Sequence, residues 1–254
     1  MEQREITLLS SYTPLFSIII PTLNEESRIE RLLKSLQRQS FKDYEIIIVD
    51  GGSRDRTAEI AEQYSAKVYV KKGCKEFPSR NFGAEVSNGQ VLLFLSADVF
   101  LPTDILEYLA RVFKTDVAGV CGMGMPFEAP LWMKMGYFTF WKALLVWSAL
   151  SKDFHGSTNF MAARKETFDE IGGFVDEFCA DTIFFNMLGK KRKVKILSRI
   201  SVFVSGRRAK KMGFLNFAGH FLWVFVYDYV PFLRNTSITR TLANYSSGYR
   251  AKHG

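Results

Sequence analysis

Short apolar runs alternate with helical patterns through the first 120 residues, and this alternation limits the fold more than any other feature. Four apolar runs predict buried strands, at residues 16–20, 44–49, 67–70 and 91–95. Ile29, Leu32, Leu33 and Leu36 have the i, i+3, i+4, i+7 spacing of an amphipathic helix. Continuous apolar strands separated by helices are typical of a parallel sheet covered on both faces. We therefore expect an α/β fold, a doubly wound and mostly parallel sheet with helices on both faces.

The alternation weakens after residue 121. There the pattern predicts a helix at 131–150, a helix at 180–189 and short strands near 193–204, then an aromatic, amphipathic C-terminal helix at 214–230. Lysines interrupt the first of these helices, and His220, Asp228 and Pro231 interrupt the last. Neither offers the roughly 20 apolar residues of a membrane span. We expect both to be core helices or helices at a membrane surface.

Composition narrows the class of protein. Hydrophobic residues make up 47% of the chain and charged residues 24%, which excludes a disordered or fibrous protein. The net charge of +8 suits an anionic partner, which is a phosphorylated ligand, an acidic membrane surface or nucleic acid. Three widely spaced cysteines and a charged N-terminus of mixed sign predict a reduced, cytoplasmic protein with no signal peptide.

Polar residues follow three of the predicted strands. Ligands bind outside the carboxyl ends of the strands in an open parallel sheet. Turn formation and helix capping are the alternative explanation for such residues. The residues concerned are Pro21, Thr22, Asn24 and Glu25 after the first run, Asp50 after the second, and Ser96, Ala97 and Asp98 after the fourth.

Two common phosphate-binding patterns are absent from the sequence, namely GxGxxG and GxxxxGK[ST]. The sequence therefore favours a nucleotide site that is built from side chains at the ends of strands. Asp98 is placed to hold Mg²⁺ or Mn²⁺, since these ions need only one or two carboxylates beside phosphate oxygens.

Three segments together resemble glycosyltransferase family 2 in order and spacing: Ser17–Glu25 (SIIIPTLNE), Ile48–Thr57 (IVDGGSRDRT) and Leu93–Asp98 (LFLSAD). The likeness is strongest to members with a VDGGS turn, an ADxxLP segment (Ala97–Pro102) and a later S-x-R-R pair (Ser205–Arg208). It covers about residues 16–215. It implies a GT-A fold and an inverting, metal-dependent hexosyltransferase that uses a nucleotide-diphosphate sugar. The resemblance divides the chain into an N-terminal extension (1–15), a catalytic domain (16–205) and a basic, aromatic C-terminal segment (206–254).

The resemblance assigns the first half of the domain (16–120) to the nucleotide sugar. Pro21, Thr22, Asn24 and Glu25 resemble the loop around the base and ribose, with Ser53 in the adjoining turn. Asp50 resembles the carboxylate that accepts a hydrogen bond from the base, which favours a UDP-sugar. Arg80 resembles a basic residue near the diphosphate, and a salt-bridged surface arginine is the alternative. Asp98 matches the last aspartate of the DxD metal motif, whereas Ser96 stands at the first.

The resemblance assigns the second half (121–205) to the acceptor. Asp181 matches the general base, although Ala180 replaces its usual acidic neighbour; Asp176 or Glu177 is the alternative base. Arg207 and Arg208 resemble groups that assist the leaving diphosphate, and a solvated basic face is the alternative. His155 begins the loop on the acceptor side.

Several alternatives stay open at this stage. The acceptor is a sugar hydroxyl or a lipid-linked phosphate such as polyprenyl phosphate. The aromatic helix at 214–230, flanked by cations, is a core helix or a peripheral anchor on an anionic membrane. Ser96 and Ala180 also suit a catalytically impaired nucleotide-sugar-binding protein. A nucleotidyltransferase on a similar fold is a further rival, while nucleic-acid binding is not expected because the basic run has no recognised motif.

Overall fold

The computed structural model describes residues 13–177 and 179–206. Within these ranges one sheet contains eight strands: β1 (Phe16–Thr22), β2 (Tyr44–Asp50), β3 (Lys67–Val70), β4 (Val91–Leu95), β5 (Val99–Phe100), β6 (Gly119–Pro126), β7 (Phe160–Arg164) and β8 (Val194–Val204). The same ranges contain seven helices: α1 (Glu26–Gln37), α2 (Thr57–Glu62), α3 (Glu76–Glu85), α4 (Ile105–Phe113), α5 (Leu131–Ser151), α6 (Lys165–Ile171) and α7 (Ala180–Lys191).

The strands lie in the order β3-β2-β1-β4-β7-β6-β8-β5. The first four strands in this order are parallel, with Ile19 of β1 opposite Ile47 of β2 and Phe94 of β4. β7 is antiparallel to both β4 and β6, β8 is parallel to β6, and β5 is antiparallel to β8. The parallel half is therefore the part that brings three strand ends to one edge.

Helices cover both faces of the sheet, as the apolar strands predict. Ile18 and Ile20 face a core shared with α1, α2 and α4. Ile19, between them, faces a second core that includes side chains of α3, α5, α6 and α7. Because successive strand residues point to opposite faces, a continuous apolar run supplies both cores. The predicted α/β architecture is confirmed.

The first strand is longer than the predicted 16–20, so the end predicted for it is wrong. β1 continues through Pro21 to Thr22, which pairs with Asp50. The pairing of β1 with β4 stops earlier, at Ile19 and Phe94. Pro21 has no N–H to donate to a neighbouring strand. The structure tolerates it because β4 does not pair with β1 beyond Ile19.

The helices at 131–150 and 180–189 are confirmed as α5 and α7, whereas a single long strand, β8, replaces the short strands expected near 193–204. The sequence analysis did not predict β5, β6, β7, α3 or α6. The aromatic segment 214–230 lies outside the described residues. No helix in the described ranges is long and apolar enough to cross a lipid bilayer.

Glu45 ties together the amino ends of four neighbouring chain segments. Its carboxylate accepts hydrogen bonds from Ser17 Oγ (2.5 Å), Asn88 N (2.7 Å) and Lys67 Nζ (2.8 Å). Burial by itself raises the pKa of Glu45. The hydrogen bonds from Lys67, Ser17 and Asn88 outweigh burial, so its pKa lies below the ordinary value. The ionised form therefore stabilises the fold.

We predict that Glu45→Gln lowers the free energy of unfolding by about 1.5 kcal/mol at pH 7, because hydrogen bonds to a charged carboxylate are lost. A depressed folded-state pKa gives stability that is present above the ordinary value of 4.5 and lost as the pH falls through the folded-state value. The difference between wild type and variant should shrink below about pH 4.5 in urea unfolding experiments. Glu62→Gln, at an exposed position, is the control. A difference that stays constant from pH 7 to pH 3 would contradict this assignment.

Candidate functional site at the carboxyl edge of the sheet

The carboxyl ends of β1 and β2 meet directly. Thr22 and Asp50 are paired in register, and Thr22 Oγ1 donates a hydrogen bond of 2.9 Å to Asp50 Oδ2. β4 runs parallel to β1, so the turn that follows it at 96–98 lies at the same edge. The structure thus brings together the three strand ends that the sequence singled out.

Asp50 organises the turn after β2. Its Oδ1 accepts from the backbone N–H groups of Gly52 (2.8 Å) and Ser53 (2.7 Å). Its Oδ2 accepts from the hydroxyls of Ser53 (2.5 Å) and Thr22. The residue is 2% exposed. Since an ionised carboxylate has about four acceptor positions, these bonds hold the turn in one conformation.

The loops after β1 and β2 are joined by reciprocal hydrogen bonds. Asn24 N donates to Ser53 Oγ (2.8 Å), and Arg54 N donates to Asn24 Oδ1 (2.9 Å). Asn24 has a φ of 53°, a left-handed conformation that asparagine adopts more readily than most residues. Glu25 N donates to Thr57 Oγ1 (2.8 Å), which continues the connection into α2. These contacts give the edge a fixed shape beside Asp50.

A lysine-rich loop lies beside this turn and was missed in the sequence analysis. Lys71 N donates to Asp50 O (2.7 Å) and Gly73 N to Gly51 O (2.9 Å), so the loop at 71–75 is hydrogen-bonded to the turn. The side chains of Lys71, Lys72 and Lys75 are exposed. They form a lysine rim, next to the carboxylate end of β2, that suits an anionic group. These lysines follow a predicted strand, β3, so the rule that found Asp50 also applies to them.

Arg80 is buried, contrary to its alternative prediction as a surface residue. The side chain, on α3, is 0% exposed, and Nη1 lies 3.2 Å from Glu76 Oε1. Its Nη2 donates to the carbonyl oxygens of Leu95 (3.5 Å) and Thr158 (3.3 Å). Arg80 therefore joins the end of β4 to the loop between α5 and β7.

Asp98 lies in the turn between β4 and β5. Across residues 13–177 and 179–206 its carboxylate makes no side-chain hydrogen bond or ion pair, and it is half-buried. The following strand fixes the turn, because Val99 and Phe100 pair with Val204 and Phe203 of β8. No group of three or more His, Cys, Asp or Glu residues in the described ranges is able to hold a metal ion. A single carboxylate such as Asp98 is compatible with a hydrated Mg²⁺ or Mn²⁺ that takes further oxygens from a phosphate ligand.

Asp181 lies in the first turn of α7. Its Oδ2 accepts from Thr158 N (3.2 Å) and Thr158 Oγ1 (3.5 Å), and its Oδ1 accepts from Thr182 N (3.0 Å). Gly156 makes this approach feasible, because a Cβ atom there would lie 2.4 Å from Asp181 O. The carboxylate is half-buried and held in a defined orientation.

Two consecutive residues connect Asp181 with the turn after β4. Thr158 binds Asp181, and the next residue, Asn159, accepts a hydrogen bond of 3.1 Å from Ser96 Oγ through Oδ1. The sequence analysis named only His155, at the start of this acceptor-side loop, and gave Thr158 and Asn159 no role. Their position follows from the pairing of β7 with β4, which brings Phe160 opposite Leu95.

The remaining candidates lie around this centre. Asp176 is exposed and forms an ion pair with Lys75 (2.7 Å), and Glu177 is exposed. His155 Nδ1 lies 3.2 Å from Thr182 Oγ1, behind the first turn of α7. Ala97 is buried between Ser96 and Asp98, and Pro21 is half-buried at the end of β1. Arg207 and Arg208 lie outside the described residues.

Cys121 lies in the core near Asp181 and is not a nucleophile. Burial, with a smaller contribution from the negative charge of Asp181, raises the pKa of the Cys121 thiol to about 12. The thiol is therefore protonated at neutral pH, and the nucleophilic thiolate is suppressed.

Several known proteins resemble this chain in sequence or in fold. The sequence is 32% identical over 127 residues to poly(ribitol-phosphate) beta-N-acetylglucosaminyltransferase TarS of Staphylococcus aureus, a match that covers 44% of this chain and 22% of TarS. The chain thus spans about a fifth of the length of this relative.

Two solved structures share the fold. The mannosyltransferase PcManGT from Pyrobaculum calidifontis, in complex with GDP-Man and Mn²⁺, superposes with a TM-score of 0.64 at 17% identity, covering 89% of this chain and 66% of that one. Glucosyl-3-phosphoglycerate synthase from Mycobacterium tuberculosis, in complex with Mn²⁺, UDP and glucosyl-3-phosphoglycerate, gives 0.59 at 17% identity and covers 85% and 80%.

The family described as Glycosyl transferase family 2 matches residues 17–172, well over half of the chain. This match includes the three strand ends, Arg80 and the loop that holds Asp181. The chain belongs to glycosyltransferase family 2.

Proposed function

We propose that this protein is an inverting, metal-dependent glycosyltransferase that moves a sugar from a nucleotide-diphosphate sugar, with UDP-sugars favoured, to an acceptor. The acceptor is a hydroxyl or a lipid-linked phosphate. The observation that carries the proposal is the connection through Thr158 and Asn159, which sets a carboxylate beside the turn that bears Asp98. Displacement at an anomeric carbon requires a base for the acceptor hydroxyl. It also requires a group that holds a cation at the departing diphosphate, and both groups have to lie at the same edge.

The donor is proposed to bind across the ends of β1 and β2. Pro21, Thr22, Asn24 and Glu25 form one wall, and the turn with Ser53 forms the other. All four acceptor positions of Asp50 are used within the protein, so a base N–H reaches this carboxylate only by replacing a hydroxyl donor. The hydroxyls of Thr22 and Ser53 are able to rotate away without moving the backbone. The lysine rim lies beside this site. Lys71 and Lys72 supply positive charge for the diphosphate, whereas Lys75 is paired with Asp176.

Asp98 is proposed to hold the divalent cation, Mg²⁺ or Mn²⁺, together with diphosphate oxygens. When bound, such a cation neutralises charge that builds on the departing diphosphate. Ser96 does not supply the negative charge of the missing acid, and its hydroxyl hydrogen is donated to Asn159. Arg80 positions the turn that bears Asp98 by donating a hydrogen bond to the carbonyl of Leu95, the last residue of β4. Arg207 and Arg208, outside the described residues, stay proposed partners of the diphosphate.

We predict that Asp98→Ala abolishes the Mn²⁺-dependent part of donor binding without destabilising the fold, because the carboxylate makes no hydrogen bond in the described part of the chain. The measurement is the thermal shift caused by UDP, GDP and their common sugars, with and without Mn²⁺. A ligand at 100 times its Kd stabilises by about 2.7 kcal/mol, so the wild-type shift is readily detected.

Asp116→Ala removes an exposed acid paired with Lys193, remote from this edge, and is the matched control. It should keep the metal-dependent shift. An Asp98→Ala protein that keeps the full Mn²⁺-dependent shift would show that the metal assignment is wrong.

Asp181 is proposed to take the proton from the acceptor hydroxyl as the oxygen attacks the anomeric carbon. Thr158 orients the carboxylate, and the in-line geometry gives inversion. Asp176 is a weaker candidate, because its carboxylate is exposed and paired with Lys75. A phosphate acceptor is already ionised near neutral pH, so Asp181 would then position the acceptor rather than deprotonate it.

We predict that Asp181→Asn lowers transfer to a hydroxyl acceptor at least about 100-fold and leaves the affinity for the donor unchanged. Asparagine keeps the size and one acceptor oxygen for Thr158 but is not a base. The measurement is the rate of nucleotide release in the presence of acceptor, beside a donor titration. Asp176→Asn and Glu177→Gln are the matched comparisons and should keep most activity. If either of these variants loses activity while Asp181→Asn stays active, the general base is Asp176 or Glu177 and not Asp181.

A catalytically impaired nucleotide-sugar-binding protein is the second candidate. It is favoured by Ser96, whose hydroxyl is committed to Asn159, and by Ala180, which is buried where the family carries an acid. Donor binding without turnover on hydroxyl and phosphate acceptors would support this candidate over the enzyme. Metal-dependent turnover would exclude it.

We also propose that the protein works at the cytoplasmic face of a membrane, with an anionic lipid surface as partner. The positive net charge supports this location, and so does a lipid-linked acceptor, which stays in the bilayer. The aromatic segment at 214–230, named from the sequence as the anchor, lies outside the described residues.

A further inference from the structure

Asn81 of α3 holds the loop 172–177, between α6 and α7, by two hydrogen bonds to one residue. Its Nδ2 donates to Phe174 O (2.7 Å), and its Oδ1 accepts from Phe174 N (2.9 Å). A side-chain amide that uses its donor and its acceptor on the same residue fixes the position and the orientation of that residue. The ion pair between Lys75 and Asp176 also contacts this loop, but both side chains are exposed, and exposed ion pairs contribute little. The loop is therefore attached mainly at Phe174.

Gly173 allows Asn81 to come this close to the loop. A Cβ atom at Gly173 would lie 2.7 Å from Asn81 Oδ1. The residue has a φ of 74°, in the left-handed region that favours glycine. Its neighbour Gly172 has a φ of 90°, but a Cβ atom there would meet no other part of the described chain within 4 Å. Both glycines thus meet the same backbone requirement, and only Gly173 is needed for the contact with Asn81.

The ring of Phe174 connects this attachment to α7. Phe174 is 4% exposed, and its ring centroid lies 4.9 Å from that of Phe94 in β4 and 5.0 Å from that of Phe184 in α7. Phe184 comes three positions after Asp181, so these two residues are neighbours on the surface of α7. Because side chains in a core are close-packed, a shift of Phe174 also shifts Phe184 and the helix that carries it.

Helix α3 thus contacts both segments that surround Asp181. Arg80 Nη2 donates to the carbonyl of Thr158, the residue that binds the Asp181 carboxylate. The adjacent Asn81 fixes the loop that precedes α7. Thr158 therefore sets the orientation of the carboxylate, while the loop sets the position of the helix that bears it.

We propose that Asn81 is a positioning residue for Asp181. Its amide fixes Phe174, and through Phe174 and Phe184 it determines where the Asp181 carboxylate lies relative to the donor. This inference rests on the proposed function, in which Asp181 is the general base. A base has to lie within hydrogen-bond reach of the acceptor, so a displacement of about 1 Å lowers the rate by up to about 100-fold.

The first test is amide hydrogen exchange of the free full-length protein, which needs no substrate. Asn81→Asp keeps the size of the side chain and the acceptor for Phe174 N, but it sets a carboxylate oxygen against Phe174 O. We expect the amide of Ile183, which donates to Cys179 O (3.0 Å) in the first turn of α7, to exchange at least about tenfold faster. The amides of β1 and β2 should exchange as in wild type.

Gln39→Glu is the matched control. Gln39 is also an amide that holds distant backbone, since its Nε2 donates to Pro102 O (2.7 Å) and its Oε1 accepts from Leu106 N (3.2 Å). It lies on the other face of the sheet, beside α1 and α4. The substitution makes the same chemical change, and it should leave the exchange of Ile183 at the wild-type rate.

The second test separates turnover from donor binding. Turnover is the release of UDP from UDP-glucose and from UDP-N-acetylglucosamine with Mn²⁺, with water as the acceptor. Asn81→Asp should lower kcat at least about tenfold and change the Kd for UDP and Mn²⁺ less than twofold. Gln39→Glu should keep both values, which a role of Asn81 in stability alone would not produce.

A second pair of variants tests the contact from the side of the loop, should Asn81→Asp fold poorly. Gly173→Ala and Gly172→Ala both place a Cβ atom at a left-handed position, so both carry the same kind of backbone strain. Only the Cβ atom at 173 pushes against Asn81 Oδ1. Gly173→Ala should therefore behave like Asn81→Asp, and Gly172→Ala should keep the wild-type exchange of Ile183 and the wild-type kcat.

Three results would overturn the proposal. The first is wild-type exchange of Ile183 in both Asn81→Asp and Gly173→Ala. The second is a loss of turnover no larger than in the control variants, and the third is a loss of donor affinity as large as the loss of turnover. Full turnover by Asp181→Asn would instead count against the proposed base, and a wild type without turnover would count against the proposed enzyme. In both of these cases the exchange of Ile183 still decides whether Asn81 fixes α7.

Discussion

The hydrogen bonds of Thr158 and Asn159 connect two parts of the site that come from distant parts of the chain. Thr158 holds Asp181, and Asn159 accepts from Ser96, beside the turn that bears Asp98. Both residues lie directly before β7. The antiparallel pairing of β7 with β4 fixes their position relative to the end of β4. A buried Arg80 contacts the carbonyls of Leu95 and Thr158 on the same two segments. The relative position of the two carboxylates therefore depends on strand pairing and on one buried cation.

Much of this edge follows from the sequence, because parallel strands end on one side of a sheet. That rule alone is enough to place Thr22, Asp50 and Asp98 together. The same rule extends to Lys71 and Lys72, which follow β3. They were overlooked although the sequence analysis predicted β3 with the bounds that the structure gives it.

Other features depend on contacts that a local pattern does not contain. β6 was missed because glycines interrupt its apolar alternation. A Cβ atom at Gly119 would lie 2.3 Å from Leu188, and one at Gly122 would lie 2.2 Å from Phe160. Close packing by distant residues requires these glycines. The burial of Arg80 has a similar origin, since its guanidinium contacts a carbonyl 78 positions away in the chain.

The central claim is that a nucleotide diphosphate and a divalent cation occupy the edge defined by Asp50, Asp98 and Asp181. The most direct measurement is a crystal structure of the protein soaked with UDP and Mn²⁺, with anomalous data collected at the manganese edge. This account predicts uracil at the turn held by Asp50, and an anomalous peak between the Asp98 carboxylate and the diphosphate, on the side facing Asp181. A nucleotide bound elsewhere on the sheet, or manganese that does not contact Asp98, would contradict it.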